Sequence, residues 1–248
     1  IPVFAGAFDP RGDLWAGSPD RLELFRSIDL ANGVREPHRS FPVPVAFPDT
    51  MTIAFDHAGN LWVPSAVPGG NVFLRYSRRE LLREEPIPVV IEDVPFATSF
   101  AFDDQNRLWT TAWQGIGTIT AYEYDEERRV LEPIAGFYDP VDYQHPVGVA
   151  FSPNGSLWVA HWSSRLARFS IETGGPGEAD MGTEARNHAG LVFDEAGTLW
   201  AGYSEGAFAG FPATSVAIGG ALSPMTVVPL PGSNYANTSP VLFSPRAF

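Results

Sequence analysis

The chain has 248 residues, 44% of them apolar and 18% charged, with a net charge of −13. That composition describes a globular chain with a real core, and its acidic balance argues against nucleic acid as a partner. There is no cysteine, and all 16 basic residues are arginine. Disulfides, thiolate metal sites, cysteine nucleophiles and Schiff-base lysines are therefore excluded.

In chain order, one octamer keeps returning. It reads FDPRGDLW at Phe8–Trp15, FDHAGNLW at Phe55–Trp62, FDDQNRLW at Phe102–Trp109, FSPNGSLW at Phe151–Trp158 and FDEAGTLW at Phe193–Trp200. The phenylalanines stand 47, 47, 49 and 42 residues apart, and a truncated sixth start, FSP, follows 50 residues later at Phe243. A fixed period of this size is the mark of a repeat architecture.

Each repeat predicts its own local structure. A short apolar run, such as TIAF, SFAF, GVAF or GLVF, ends at the phenylalanine and reads as a buried inner strand. Asp or Ser then opens a turn, because its short side chain can accept bonds from nearby backbone N–H groups. Four residues after the phenylalanine stand Gly12, Gly59, Asn106, Gly155 and Gly197. That pattern predicts a left-handed backbone, which glycine adopts freely and asparagine tolerates. Leu-Trp begins the return strand, and the five tryptophans are expected to pack the seams between repeats.

Outer strands are expected at VFLRY (72–76) and at IPVVIE (87–92) in repeat two. Repeat three should hold TITAYEY (118–124) and LEPIAGFY (131–138), and repeat five AFAGF and PMTVVPL. Repeat four turns Gly-rich and acidic after RLARFS, so an irregular edge without an outer strand is expected there. The basic cluster Arg75, Arg78, Arg79 and Arg83, followed by Glu84 and Glu85, reads as a solvated edge. Beyond a single turn at Arg78–Arg83, no helix of normal length is expected. Four short strands per repeat give an all-β fold: a β-propeller of five four-stranded blades, one domain over 1–248, with a six-bladed ring as the alternative.

The segment AFDHAGNLWV (54–63) resembles the NHL-type repeat of the broad group that includes gluconolactonase-like and streptogramin-lyase-like propellers. The resemblance spans nearly the whole chain through scaffold motifs, and it implies the fold more than any activity. A gluconolactonase-like enzyme is expected to carry a metal-binding Glu at the entry to its first inner strand. This chain reads VFAGAF there, without an acid, which counts against a lactonase. A streptogramin-lyase-like enzyme implies His and Glu holding a divalent cation on one face.

With the repeat subtracted, the ends where inner strands begin and second strands finish hold what the scaffold does not require. His145, His161 and His188 fall there, with Tyr143, Trp113, Trp162, Tyr203, Glu205 and Asp142. His57 lies in a turn at the opposite end and His38 in a polar linker, both expected to be solvated. Imidazole titrates near neutral pH and ligates metals, so His145, His161 and His188 are candidate ligands for one divalent ion. His145, His188 and Glu205 are the candidate catalytic groups. Trp113, Trp162, Tyr203, His161 and Tyr143 are candidate walls of a ligand pocket. Ser163 and Ser164 lack the GxSxG setting of a nucleophile.

Two function classes follow. The first is a binding or interaction propeller for a small molecule, sugar or peptide. The alternative is a metal-dependent lyase or hydrolase, and a purely structural module is the third reading. No membrane span is expected. The chain begins with Ile1, which fits removal of a leader or trimming and favours an extracytoplasmic compartment without fixing it.

Overall fold

The octamer turns fold as their residues dictate. Gly12, Gly59, Gly155 and Gly197 take φ between 79° and 82°, and Asn106 takes 63°. In every case the residue at this position donates its N–H to the carbonyl of the Asp or Ser that opens the turn, at 2.8 to 3.0 Å. The computed structural model describes residues 5–18, 20–34, 36–44, 52–67, 70–94, 97–112, 117–138, 145–162, 165–171, 175–182, 188–194, 196–203, 207–218 and 226–229.

These turns sit inside five four-stranded antiparallel sheets, each meandering in sequence order from an inner to an outer strand. Blade 1 is β1 (Ala5–Phe8), β2 (Leu14–Ser18), β3 (Arg21–Phe25) and β4 (Arg39–Pro42). Blade 2 is β5 (Ala54–Phe55), β6 (Leu61–Val67), β7 (Gly70–Tyr76) and β8 (Val89–Val94). Blade 3 is β9 (Ser99–Phe102), β10 (Leu108–Ala112), β11 (Thr118–Asp125) and β12 (Val130–Tyr138). Blade 4 is β13 (Pro146–Phe151), β14 (Leu157–His161), β15 (Arg165–Ser170) and β16 (Gly175–Gly182). Blade 5 is β17 (His188–Phe193), β18 (Leu199–Tyr203), β19 (Ala207–Phe211) and β20 (Thr226–Pro229). The chain is thus an all-β, five-bladed β-propeller. The truncated sixth start at Val241–Phe243 lies outside the described residues.

Two expectations need correction, on the outer strand of blade 4 and on Arg75. Blade 4 does have an outer strand, β16, despite its glycines. A register shift between Ala167 and Phe169 in its pairing with β15 absorbs the irregularity. Two short helices, α1 (Ser27–Ala31) and α2 (Ala213–Ile218), accompany the expected turn, which is a 3-10 helix at Glu80–Leu82. Arg75 is no solvated edge. Its side chain is only 11% exposed and pairs with Glu126 at 3.0 Å. Its guanidinium lies 4.8 Å from the Tyr124 ring centroid and 5.7 Å from that of Trp62. A planar cation suits that stacking. Arg78, Arg79 and Arg83 are exposed, as are His38 and His57.

Contacts group the chain into two compact units. One holds blades 1 and 2 with residues 124–132 of the β11–β12 hairpin; the other holds the rest of blade 3 and blades 4 and 5. Inside each unit the same two interactions recur. The first fixes the tryptophan to its own repeat. The indole Nε1 donates to the turn carboxylate six residues earlier, at 3.0 Å for Trp62–Asp56 and 2.9 Å for both Trp109–Asp103 and Trp200–Asp194. The other carboxylate oxygen accepts the backbone N–H four residues on, at 2.8 to 2.9 Å in these three repeats. The aspartate therefore closes the turn and orients the ring at once.

The second interaction joins neighbouring repeats. Trp15 meets Phe55 of the following repeat, Trp109 meets Phe151 and Trp158 meets Phe193, with centroids 6.1 to 6.4 Å apart and edge-on geometry. Edge contacts at this range add about 0.5–1.5 kcal/mol each beyond simple burial. Trp15, Trp62, Trp109 and Trp158 are at most 1% exposed, as seam residues should be. Blade 1 departs in one respect. Asp9 turns to Arg11, at 3.2 Å, and the buried Trp15 Nε1 has no hydrogen-bond partner among the described residues.

Asp103→Ala should be among the costliest single changes. It orphans the Trp109 indole, two backbone N–H groups and the Arg107 guanidinium, all of which Asp103 now accepts. A loss of about 2–4 kcal/mol is expected in urea unfolding. Alkaline pH gives a second check. Burial raises the phenol pKa of Tyr76, Tyr122 and Tyr124 above the ordinary value near 10. The folded chain then holds these protons after the unfolded chain has lost them. Their contribution is fully present below about pH 10 and is lost as pH rises beyond it. The urea midpoint should fall above pH 10, and tyrosinate absorbance should show these phenols ionising late or only on unfolding.

Candidate functional site

The end of blade 4 where β13 begins and β14 finishes carries most of the described candidates. Pro146 pairs with His161 across the two strands. His145 immediately precedes Pro146, and its carbonyl accepts the Trp162 N–H at 3.0 Å. The register shifts between Pro146 and Gly148, so a bulge opens this corner. His161 and Trp162 are adjacent in sequence but differ fully in exposure. His161 is 0% exposed, its ring 6.2 Å from that of Phe169, whereas Trp162 is 40% exposed. An indole 40% exposed at this strand end is a surface the repeat does not require.

His145 adopts φ +67°. A left-handed backbone is uncommon for a residue with a Cβ, and proline at the next position further favours extended geometry. Such a conformation costs about 1–3 kcal/mol and persists only where its surroundings hold it. The three other described non-glycine residues with positive φ are Asp93, Asn106 and Arg129. Asn106 and Arg129 sit in tight turns and Asp93 near the end of an outer strand. His145 alone among the four stands at the head of an inner strand.

Blade 5 repeats the corner. His188 pairs with Tyr203, and the register shifts between His188 and Gly190, as it does between Pro146 and Gly148 in blade 4. In repeat register His188 matches Pro146, one place along from His145. Only the backbones of His188 and Tyr203 are described. Trp113, Tyr143, Asp142 and Glu205 lie outside the described residues. Blades 4 and 5 meet tightly just behind these corners. A Cβ on Gly148 would stand 3.0 Å from the Gly190 Cα and 3.3 Å from the Ala160 Cβ, so glycine is what lets the two inner strands approach. Among the described residues no group of three His, Asp or Glu side chains gathers as a metal site.

Blade 3 supplies residues that sequence patterns do not reveal. The Thr98 Oγ1 lies 3.0 Å from the Pro146 carbonyl oxygen. The Ser99 Oγ accepts the Val149 N–H at 3.3 Å. Neither contact has a counterpart in the octamer, and a lone hydroxyl before an inner strand carries no sequence signal.

The fold and this corner define the class: a five-bladed β-propeller with non-repeat His and Trp residues clustered on its later blades. No family model and no curated protein matches the chain. Solved structures do. A streptogramin B lyase is 15% identical with a TM-score of 0.63, covering 97% of this chain and 72% of that one. Virginiamycin B lyase from Staphylococcus aureus, in selenomethionine form, is 13% identical with a TM-score of 0.60, covering 94% and 71%. A catalytically inactive His-to-Ala variant of that Staphylococcus aureus enzyme with quinupristin is 12% identical with a TM-score of 0.62, again covering 94% and 71%. These likenesses concern the fold.

Gly148→Ala should strain the approach of blades 4 and 5, because the new methyl meets Gly190 backbone that has no rotamer to yield. A loss of about 1–3 kcal/mol is expected, read by thermal unfolding. Gly155→Ala is the contrast: a Cβ there meets nothing within 4 Å, and its cost is confined to the positive φ.

Proposed function

We propose that the chain is a ligand-binding propeller, working as one domain, that takes a small molecule, sugar or peptide at the corners of blades 4 and 5. The observation that carries this reading is the pairing of a 40% exposed Trp162 with a strained His145, hydrogen-bonded to one another through their backbones. An exposed indole offers large contact area at low entropic cost. In this reading Trp113, Tyr143 and Tyr203 extend the aromatic wall, and His161 supports it from within the blade.

A second reading has its own observation in support: the three structurally similar solved structures are of lyases, one of them a variant inactivated by replacing a histidine. On that reading His145, His188 and Glu205 are the acid–base and metal-binding groups, with His161 as a further ligand. Imidazole and carboxylate suit a divalent cation in kind, and a cation there would supply Lewis-acid polarisation of a substrate oxygen.

Tryptophan fluorescence titrated with a panel of sugars, peptides and quinupristin tests the first reading. A saturable response that is lost in Trp113→Ala or Trp162→Ala is expected. A response indifferent to both substitutions removes the aromatic pocket. Metal analysis of protein purified without chelator tests the second reading, alongside a His145→Ala/His188→Ala variant. Retention or uptake of Mn²⁺ at micromolar concentration, abolished in the variant, supports the lyase; no uptake by the unaltered protein rejects it.

A further inference from the structure

We propose that Thr98 is a positioning residue for the His145–Trp162 corner, holding it from the neighbouring blade. The inference rests on reading that corner as a ligand site, but its geometry stands apart from any ligand.

The Thr98 N–H donates to the Thr111 carbonyl at 2.7 Å. Its hydroxyl lies 3.0 Å from the Pro146 carbonyl, 2.8 Å from the Thr111 carbonyl and 3.3 Å from the Thr111 Oγ1. A hydroxyl has one proton to give. Both carbonyls lie within reach of that proton; the Thr111 carbonyl has the Thr98 N–H as a donor in any case, and donation to Pro146 is what ties β13 to blade 3. The Thr111 hydroxyl, fully buried, lies 3.3 Å from the Thr98 oxygen and 3.4 Å from the Ser99 carbonyl, and donates to the nearer Thr98 oxygen in this arrangement. The result is a two-hydroxyl strut from β10, through Thr98, to the residue following His145.

Ser99 adds a second point of attachment, three residues along β13, by accepting the Val149 N–H at 3.3 Å. The two attachments flank Gly148, where a Cβ would meet Gly190. The bulged head of β13 is thus restrained from blade 3 by hydrogen bonds and from blade 5 by close backbone contact. The His145 carbonyl is taken by Trp162, and the next carbonyl by Thr98. Two successive peptides on the C-terminal side of the strained residue are thereby tied. No other repeat places two hydroxyls at these positions. Val147 and Ala160 stand there in repeat four, Ala189 and Gly202 in repeat five, and Met51 and Pro64 in repeat two. The scaffold does not need the strut; the corner does.

The test compares Thr98→Val, which keeps the shape and removes the hydroxyl, with Thr98→Ser, which keeps the hydroxyl. Amide hydrogen exchange of Trp162 reads the corner directly. In Thr98→Val it should quicken about tenfold, what losing one ordinary hydrogen bond allows. Exchange at Trp109 and Leu199, inside their ladders, should not change. Thr98→Ser should restore the slow rate. If Thr98→Val does not fold, Thr111→Val breaks the strut from its other end and is read the same way. An unchanged Trp162 rate overturns the proposal, as does equal acceleration at all three amides. Fluorescence titration with quinupristin is run in parallel. A Trp162 amide that loosens in Thr98→Val, in a protein giving no ligand response, upholds the strut and counts against the ligand reading.

Discussion

Everything in this chain depends on where one indole ring is held. Trp62, Trp109 and Trp200 are tethered by Nε1 to a carboxylate in their own turns. Trp15, Trp109 and Trp158 meet the phenylalanine that ends the next repeat's inner strand, and Trp109 does both. The first bond is local and closes a loop of seven residues. The second crosses between strands about 40 residues apart in sequence. Coupling them converts a local turn preference into a long-range packing rule. Asp103 is 1% exposed, and its oxygens are committed to turn N–H groups, the Arg107 guanidinium and the indole. A change there unsettles turn and seam together.

The fold was legible because this coupling is written as a short string at a near-constant period. The turn conformation could be read from Gly12, Gly59, Asn106, Gly155 and Gly197, since glycine adopts a left-handed backbone freely and asparagine tolerates it. What could not be read has physical reasons. β16 has glycines and acids in place of β-branched residues, and it is held by its ladder with β15. The helices α1 and α2 span five and six residues, too few for a helical period to show. Arg75 sits in a basic run, yet its fate was set by Tyr124 and Glu126, about fifty residues away.

The candidate site divides in the same way. His145, His161 and Trp162 emerge by subtraction, since the repeat accounts for its own residues and leaves these over. Sequence could not say that His161 is sealed while Trp162 is open, because neighbouring positions of a strand end face different surroundings. Nor could it show the strained backbone of His145, or the hydroxyls of Thr98 and Thr111. These contacts join residues whose only relation is that two blades lie side by side. A repeat thus exposes its exceptions but not the partners of those exceptions.

The three seam contacts described also share a direction: tryptophan forward onto the phenylalanine of the next repeat. Where Trp15 of one repeat finds Phe55 of the next, any repeat bearing that phenylalanine would satisfy it. A lineage built on such couplings can lengthen or shorten by whole modules without inventing a new interface. Residues outside the repeat, such as His145, His161 and Trp162, can then diverge while the joints stay interchangeable.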